Sequence, residues 1–191
     1  MQPVLILKND SKDDPSYLGT WLRQRGVSYV LIDGQAGEAL PRDIRAYSAL
    51  ALLGGPMSAN DELSWLVEGM GLIRQAVELD VPVIGHCLGG QLMARALGAR
   101  VTRSPQPEIG WQPVTILDAP QAMAWFGPAR QAHVMQWHYD AFELPAGAVS
   151  LATSPACPYQ AFAIGRRGYA PPVAIALPCS PGHAAVSRCV E

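Results

Sequence analysis

The stretch VPVIGHCLGGQL, residues 81–92, joins an apolar run to one cysteine and two glycines. VPVIG (81–85) has the composition of a buried strand, whereas LGGQLMARALG (88–98) has apolar residues at helical spacing and ends at a glycine. The order predicts a strand, a tight turn and a helix, with Cys87 at the turn. Such units are typical of parallel strands joined by crossover helices.

Short apolar runs and helical patterns alternate through the first half of the chain. The pattern predicts strands at 3–8, 27–33 and 48–55 and helices at 16–26 and from Asn60 or Asp61, as N-cap, to Leu79. The second half instead has short strand-like runs separated by proline-bearing loops, at 111–117, 131–137 and 147–154. We therefore expect an α/β fold with a mostly parallel central sheet and an antiparallel extension.

The composition limits the classes of function. A chain of 191 residues that is 49% hydrophobic can bury one sizeable core, and a net charge of −2 gives no electrostatic reason to expect nucleic acid or a membrane surface as partner. No apolar run reaches the roughly 20 residues of a membrane span, and the N-terminus lacks a signal-peptide pattern, so we expect a cytoplasmic protein. The four cysteines form no CxxC pair, and no phosphate loop occurs, so we expect neither a metal nor a cofactor.

Cys87 is the candidate nucleophile. At a strand–turn–helix junction its side chain would project from the carboxyl edge of the sheet, and Gly85, Gly89 and Gly90 would avoid clashes there. The helix N-terminus favours the negatively charged thiolate, which is the reactive form, and the Leu88 amide would point toward a developing oxyanion. The alternative is that Cys87 is a small buried hydrophobic residue.

A glycine pair follows the third predicted strand, in GGPMSAND (54–61). Such a pair lets the backbone approach a ligand closely and present amides to it, although Gly-Gly-Pro is also a common turn. In a doubly wound sheet, the carboxyl ends of the strands at 48–53 and 82–85 face one crevice. Amides of Gly54, Gly55 and Leu88 could then meet an acyl group attacked by Cys87.

These residues resemble a known family, the class I glutamine amidotransferases, and especially stand-alone proteins similar to the glutaminase domain of GMP synthase. The matching motifs, in order, are GGPMSAND (54–61), GHCLGGQ (85–91), PEIGW (107–111) and WHYDAFELPAG (137–147). The resemblance runs from the first strand to about Gly165. We therefore divide the chain into an amidotransferase-like domain, 1–165, and an atypical C-terminal tail, 166–191.

The resemblance implies a flavodoxin-like three-layer sandwich and hydrolysis of the glutamine side-chain amide through a cysteine thioester. The ammonia would be transferred to a second substrate, and a synthetase is a possible partner that accepts it. It assigns the nucleophile to Cys87 and the oxyanion amides to Gly55 and Leu88. The residues that it places against the glutamine are Gly54, Gln91, His138 and Tyr139.

The tail departs from the family pattern. Family members complete a triad with a C-terminal His-x-Glu motif, and no His-x-Glu occurs anywhere in this chain. Prolines throughout RRGYAPPVAIALPCSPGHAA (166–185) predict no helix or central strand there. We interpret the change as a shift of reading frame near Arg166 and expect impaired turnover, because a positioned acid–base group supplies about 10²- to 10⁴-fold. The coding DNA tests this: an alternative frame should restore a His-x-Glu motif.

Other histidines are weaker candidates for the base. His86 should point away from the cleft, because successive side chains at a strand end alternate. His138 could pair with Asp140, although the family places that loop at the substrate, and His133 reads as an ordinary strand residue. Nothing around His183 in the tail resembles a site.

Three functions remain open from the sequence. The first is an amidotransferase with impaired turnover, and the second is a noncatalytic binding or regulatory module of the same fold. The third is another cysteine-elbow hydrolase, a peptidase or a relative of the DJ-1 type.

Overall fold

The computed structural model describes residues 2–165 and the backbone of residues 174–177. A nine-stranded sheet forms the centre of the fold. The strands are β1 Val4–Lys8, β2 Tyr29–Asp33, β3 Ala49–Leu52, β4 Val83–His86, β5 Val101–Ile116, β6 Gln131–Phe142, β7 Val149–Thr153, β8 Ala161–Ile164 and β9 Ala174–Leu177. The helices are α1 Ser16–Gln24, α2 Ser64–Glu78, α3 Leu88–Ala96 and α4 Pro120–Phe126, with a 3₁₀ turn at Ile44–Ala46.

The strand order is β2-β1-β3-β4-β9-β8-β7-β5-β6. Strands β2, β1, β3, β4 and β9 pair in parallel, whereas β8, β7, β5 and β6 continue the sheet with antiparallel pairing. The predicted α/β fold, with its parallel sheet and antiparallel extension, is confirmed.

The core has two parts, one on each face of the sheet. Side chains of α2 and α3, including Leu66 and Leu92, pack with Leu50 on one face. Side chains of α1 and α4, including Trp21 and Trp125, belong to the core of the other face. Because alternate strand residues point to opposite faces, the buried sheet supplies both cores and three layers result.

The expectation that the tail contains no central strand is wrong. Residues Ala174–Leu177 form β9, which lies between β4 and β8 and pairs with both. The physical reason is the placement of the prolines: Pro171, Pro172 and Pro178 lie outside the four-residue segment, so none of its backbone N–H groups is lost. The rest of the proposed tail lies outside the described residues.

Three further local predictions differ from the structure. Helix α2 begins at Ser64, after Leu63, and not after Asn60 or Asp61, because the Asn60 amide donates to the Val101 carbonyl and Asp61 accepts from the Ser58 amide. Strand β5 is longer than predicted, because a register shift between Arg103 and Glu108 accommodates its prolines. Helix α4 was not predicted, although it has proline at its first turn, a common helix start.

Candidate active site

Cys87 occupies the single residue between β4 and α3. Its backbone has φ 52° and ψ −112°, a left-handed φ that residues other than glycine rarely adopt. Strain of this kind persists only where the surroundings enforce it, and it occurs often at functional sites. Cys87 is partly exposed and borders an open cleft of about 830 Å³. The alternative that Cys87 is a buried hydrophobic residue therefore does not fit its position.

Two glycines allow α3 to approach the sheet closely enough for this turn. A Cβ atom at Gly85 would lie 2.6 Å from the carbonyl oxygen of Gly89. A Cβ atom at Gly89 would in turn collide with the backbone of Leu52 in β3. The start of α3 thus packs directly on β3 and β4, which sets the position of Cys87.

The loop after β3 lies beside Cys87. Gly54 and Gly55 border the same cleft, and a Cβ atom at Gly54 would lie 3.7 Å from the Cβ of Cys87. A Cβ atom at Gly55 would lie 3.0 Å from the Leu88 side chain. The crevice expected at the ends of β3 and β4 is therefore present, because these strands are adjacent and parallel.

Side-chain hydrogen bonds hold this loop in place. The buried Asn9 amide donates to the Leu53 carbonyl at 2.9 Å, and Arg95 donates to the Ala59 carbonyl at 2.6 Å. The Ser58 hydroxyl donates to the Asp140 carboxylate at 2.9 Å. None of these contacts was predicted, since each joins residues far apart in sequence.

Gln91, His138 and Tyr139 also border the cleft. Six of the seven residues predicted for the site therefore line it, and the seventh, Leu88, lies next to it as the first residue of α3. The Gln91 side chain donates to the Asp140 carbonyl at 3.1 Å and so connects α3 to the end of β6. Tyr139 lies under the Arg103 guanidinium, 4.6 Å from ring centroid to charge centre. This stacked pair, with the exposed Trp137, forms one rim of the cleft.

The possible pairing of His138 with the Asp140 carboxylate is not formed. His138 Nδ1 lies 3.1 Å from the backbone oxygen of Asp140, whose carboxylate instead accepts from Ser58. His138 Nε2 lies 3.2 Å from the carboxylate of Glu108, without the alignment of a hydrogen bond. Glu108 is buried, and it lies opposite His138 because β5 and β6 are paired at these two positions.

His86 is among the residues that border the cleft, contrary to the expectation from the alternation of side chains along β4, and its side chain is buried. Burial of its ring lowers the pKa to about 4, because the charged form is disfavoured away from water. Its Nε2 has no hydrogen-bond partner within residues 2–165. His133 is exposed on β6. His183 lies outside the described residues, as does any contact from its segment to Cys87.

Within the described part of the chain, no group of three or more His, Cys, Asp or Glu side chains is placed to hold a metal ion. In the same part, no helix combines the length and apolarity needed to cross a membrane.

A family model described as Glutamine amidotransferase class-I matches residues 20–168 of this chain. The chain belongs to the class I glutamine amidotransferase family. The match covers β2, the glycine loop (54–61), the Cys87 turn and the β5–β6 pair, which supply most of the residues that border the cleft.

Curated relatives of this amidotransferase chain support the same family. A glutamine amidotransferase-like protein of Salmonella typhimurium is 37% identical over 158 residues, which are 78% of this chain and 65% of the relative. A GMP synthase of Aeropyrum pernix is 37% identical over 155 residues, which are 76% of this chain and 27% of the relative. The chain thus spans less than two thirds of either relative. Gamma-glutamyl peptidase 3 of Arabidopsis thaliana is 28% identical over 141 residues, 71% of this chain and 56% of that protein.

A solved structure has the same fold as the described amidotransferase chain. The glutamine amidotransferase of Methylobacillus flagellatus superimposes with a TM-score of 0.82 at 42% identity, covering 85% of this chain and 65% of that one. The flavodoxin-like three-layer sandwich expected from the sequence is therefore confirmed.

Proposed function

We propose that this protein hydrolyses the side-chain amide of glutamine through a thioester at Cys87. The Cys87 thiolate attacks the amide carbon, the carbon–nitrogen bond breaks, and the nitrogen takes a proton and leaves as ammonia. Water then attacks the thioester carbon, which releases glutamate and regenerates the thiol. One glutamine and one water therefore give one glutamate and one ammonia.

One observation carries the proposal: Cys87 is held with a left-handed φ of 52° at the strand–helix turn, partly exposed at the cleft and beside the Gly54–Gly55 loop. The first amide of α3, at Leu88, and the amide of Gly55 are the proposed donors to the oxyanion. Preorganised amides of this kind stabilise charge that develops only during the reaction. Gln91, His138 and Tyr139 are the proposed contacts to the amino-acid end of glutamine.

Slow turnover is part of the proposal. The sequence has no His-x-Glu motif, and His86, the histidine beside Cys87 in the chain, has a pKa of about 4 and is uncharged near neutrality. His138 faces the buried Glu108. Because the sequence lacks the His-x-Glu pair, we expect a rate about 10²- to 10⁴-fold below that of an enzyme with the full triad.

Ammonia release from glutamine tests this function. Wild-type protein should release ammonia slowly but measurably, in a coupled glutamate dehydrogenase assay run with excess enzyme. Cys87→Ala should abolish the release, whereas Cys157→Ala, at the other described cysteine, should retain it. Equal release by wild type and Cys87→Ala would contradict the proposal. Labelling of Cys87 by a glutamine analogue without any turnover would indicate the noncatalytic module.

A second candidate function is hydrolysis of a γ-glutamyl amide larger than glutamine. The cleft, at about 830 Å³, lies toward the upper end of the roughly 300 to 1,000 Å³ of ligand pockets, and Trp137 on its rim is 62% exposed. One relative is named a gamma-glutamyl peptidase. Faster release of the amine from a γ-glutamyl peptide than of ammonia from glutamine would favour this function, and Trp137→Ala should then slow the peptide reaction alone.

The proposed partner is a synthetase that consumes the ammonia. The GMP synthase relative extends well beyond the matched region, which is 27% of its length. For this chain, the acceptor reaction would take place outside the described residues.

A further inference from the structure

A second, much smaller cavity adjoins the cleft at Cys87. Its volume is about 20 Å³, which suits one water-sized molecule, since roughly 10 to 15 Å³ suffices for one. Cys87, Gln91, His138 and Asp140 border both the cleft and this cavity. The remaining lining residues are Gln136, Ala141, Phe142, Cys157, Tyr159 and Gln160.

A chain of buried hydrogen bonds fixes the orientation of the amides in the wall of this cavity. The carboxylate of Glu108 can only accept, so the Gln160 nitrogen donates to it, and this nitrogen also donates to the Ser154 hydroxyl at 2.9 Å. The Gln160 oxygen must then accept, and it receives the Gln136 nitrogen at 2.8 Å. The orientation of each amide therefore follows from these hydrogen-bond partners.

The Gln136 oxygen, Oε1, ends this series of hydrogen bonds and has no donor within the described residues. Gln136 is 0% exposed, and within the described part of the protein no group donates to its Oε1 atom. A buried carbonyl oxygen without a hydrogen bond is costly, and buried polar groups in proteins are almost always satisfied by protein or by ordered water. Reversal of the Gln136 amide would place its oxygen against the Gln160 oxygen with no proton between them, so it offers no alternative.

We propose that the small cavity binds a single hydrogen-bond-donating molecule with one heavy atom, water or ammonia, through Gln136 Oε1. Such a molecule lies in a cavity that Cys87 also borders. The ammonia form rests on the proposed glutaminase function, because Cys87 would generate it there. The water form does not depend on that function.

A crystal structure of the full chain at high resolution, grown without ammonium, tests the site. We expect one isolated density peak about 2.7 to 3.1 Å from Gln136 Oε1. The peak should be lost in Gln136→Leu, which keeps a similar side-chain volume without the oxygen, and kept in the control variant Gln112→Leu on β5. Should Gln136→Leu fail to fold, Gln136→Met serves the same purpose.

Two crystallographic results would overturn the proposal. One is the absence of density at this position in the wild type while the cavity remains open. The other is a side chain from the C-terminal segment donating to Gln136 Oε1. Retention of the peak in the folded Gln136 variant would also overturn the assignment to this oxygen.

Alkylation of Cys87 by iodoacetamide distinguishes the two molecules. If ammonia occupies the cavity, ammonium chloride at pH 8 should change the alkylation rate at least twofold relative to sodium chloride, and methylammonium chloride, with one more heavy atom, should not. A density peak with no ammonium effect assigns the site to water. The separate glutaminase assay on wild-type protein tests the proposed function. A negative glutaminase assay therefore does not overturn the small-cavity site, and loss of that site does not overturn the proposed function.

Discussion

The Ser58 hydroxyl donates a hydrogen bond of 2.9 Å to the carboxylate of Asp140, although 82 positions separate the two residues. This bond connects the glycine loop that follows β3 to the end of β6. Gln91, on α3, donates to the Asp140 carbonyl. Asp140 thus joins the loop, α3 and β6 around Cys87.

Loss of the Ser58 hydroxyl should therefore impair the site more than it impairs the fold. Hydrogen bonds to charged groups contribute about 1.5 to 3 kcal/mol, and a part of this should appear as loss of loop order. Ser58→Ala should slow labelling of Cys87 by a glutamine-analogue diazoketone about three- to tenfold and leave alkylation by iodoacetamide nearly unchanged. Ser64→Ala, at an exposed serine six residues later, is the control. If Ser58→Ala slowed both labelling reactions equally, the Ser58 hydroxyl would not act through the order of the glycine loop (54–61).

Substitution by alanine should change the free energy of unfolding in opposite directions at two helical glycines, Gly89 and Gly71. A Cβ atom at Gly89 would collide with the backbone of Leu52, whereas nothing lies within 4 Å of one at Gly71. Gly89→Ala should lower the free energy of unfolding by about 3 kcal/mol, and Gly71→Ala should raise it by about 0.5 to 1 kcal/mol, because alanine restricts the unfolded chain. Urea unfolding of the two variants measures both. A stable Gly89→Ala protein would mean that α3 does not pack this closely on β3.

The sequence was informative where one short segment determines the geometry. The strand–turn–helix at Cys87 follows from an apolar run, a cysteine and small neighbours, and the motif order indicated the family. The position of His138 opposite Glu108 could not be predicted from the sequence, because it depends on the register of β5 against β6 after a bulge. Strand β9 was missed because a four-residue strand flanked by prolines has no periodicity of its own, and only its neighbours β4 and β8 stabilise it.

His86 should make the protein less stable in mild acid. Its pKa is lowered by burial from 6.5 to about 4, so between these values the unfolded chain takes up a proton that the folded chain excludes. Stability should fall as the pH falls through this window, by an amount on the order of 3 kcal/mol from this residue. In His86→Gln, the free energy of unfolding should vary less between pH 6.5 and 4, as measured by urea titration at each pH.

The exposed His133 provides the comparison for this effect. His133→Gln should follow the wild-type pH dependence, because this exposed side chain is in contact with water in both the folded and the unfolded protein. Parallel curves for wild type and His86→Gln would contradict the buried, uncharged state of His86.

The identity of the residue labelled by a glutamine-analogue diazoketone tests the central claim most directly. Burial raises the pKa of the Cys157 thiol, so this cysteine should react slowly, whereas Cys87 is partly exposed at the cleft. Peptide mapping by mass spectrometry after limited reaction should locate the adduct on Cys87, and excess glutamine should slow its formation. An adduct on any other cysteine while Cys87 stays unmodified, or labelling that glutamine does not slow, would contradict a glutamine site at Cys87.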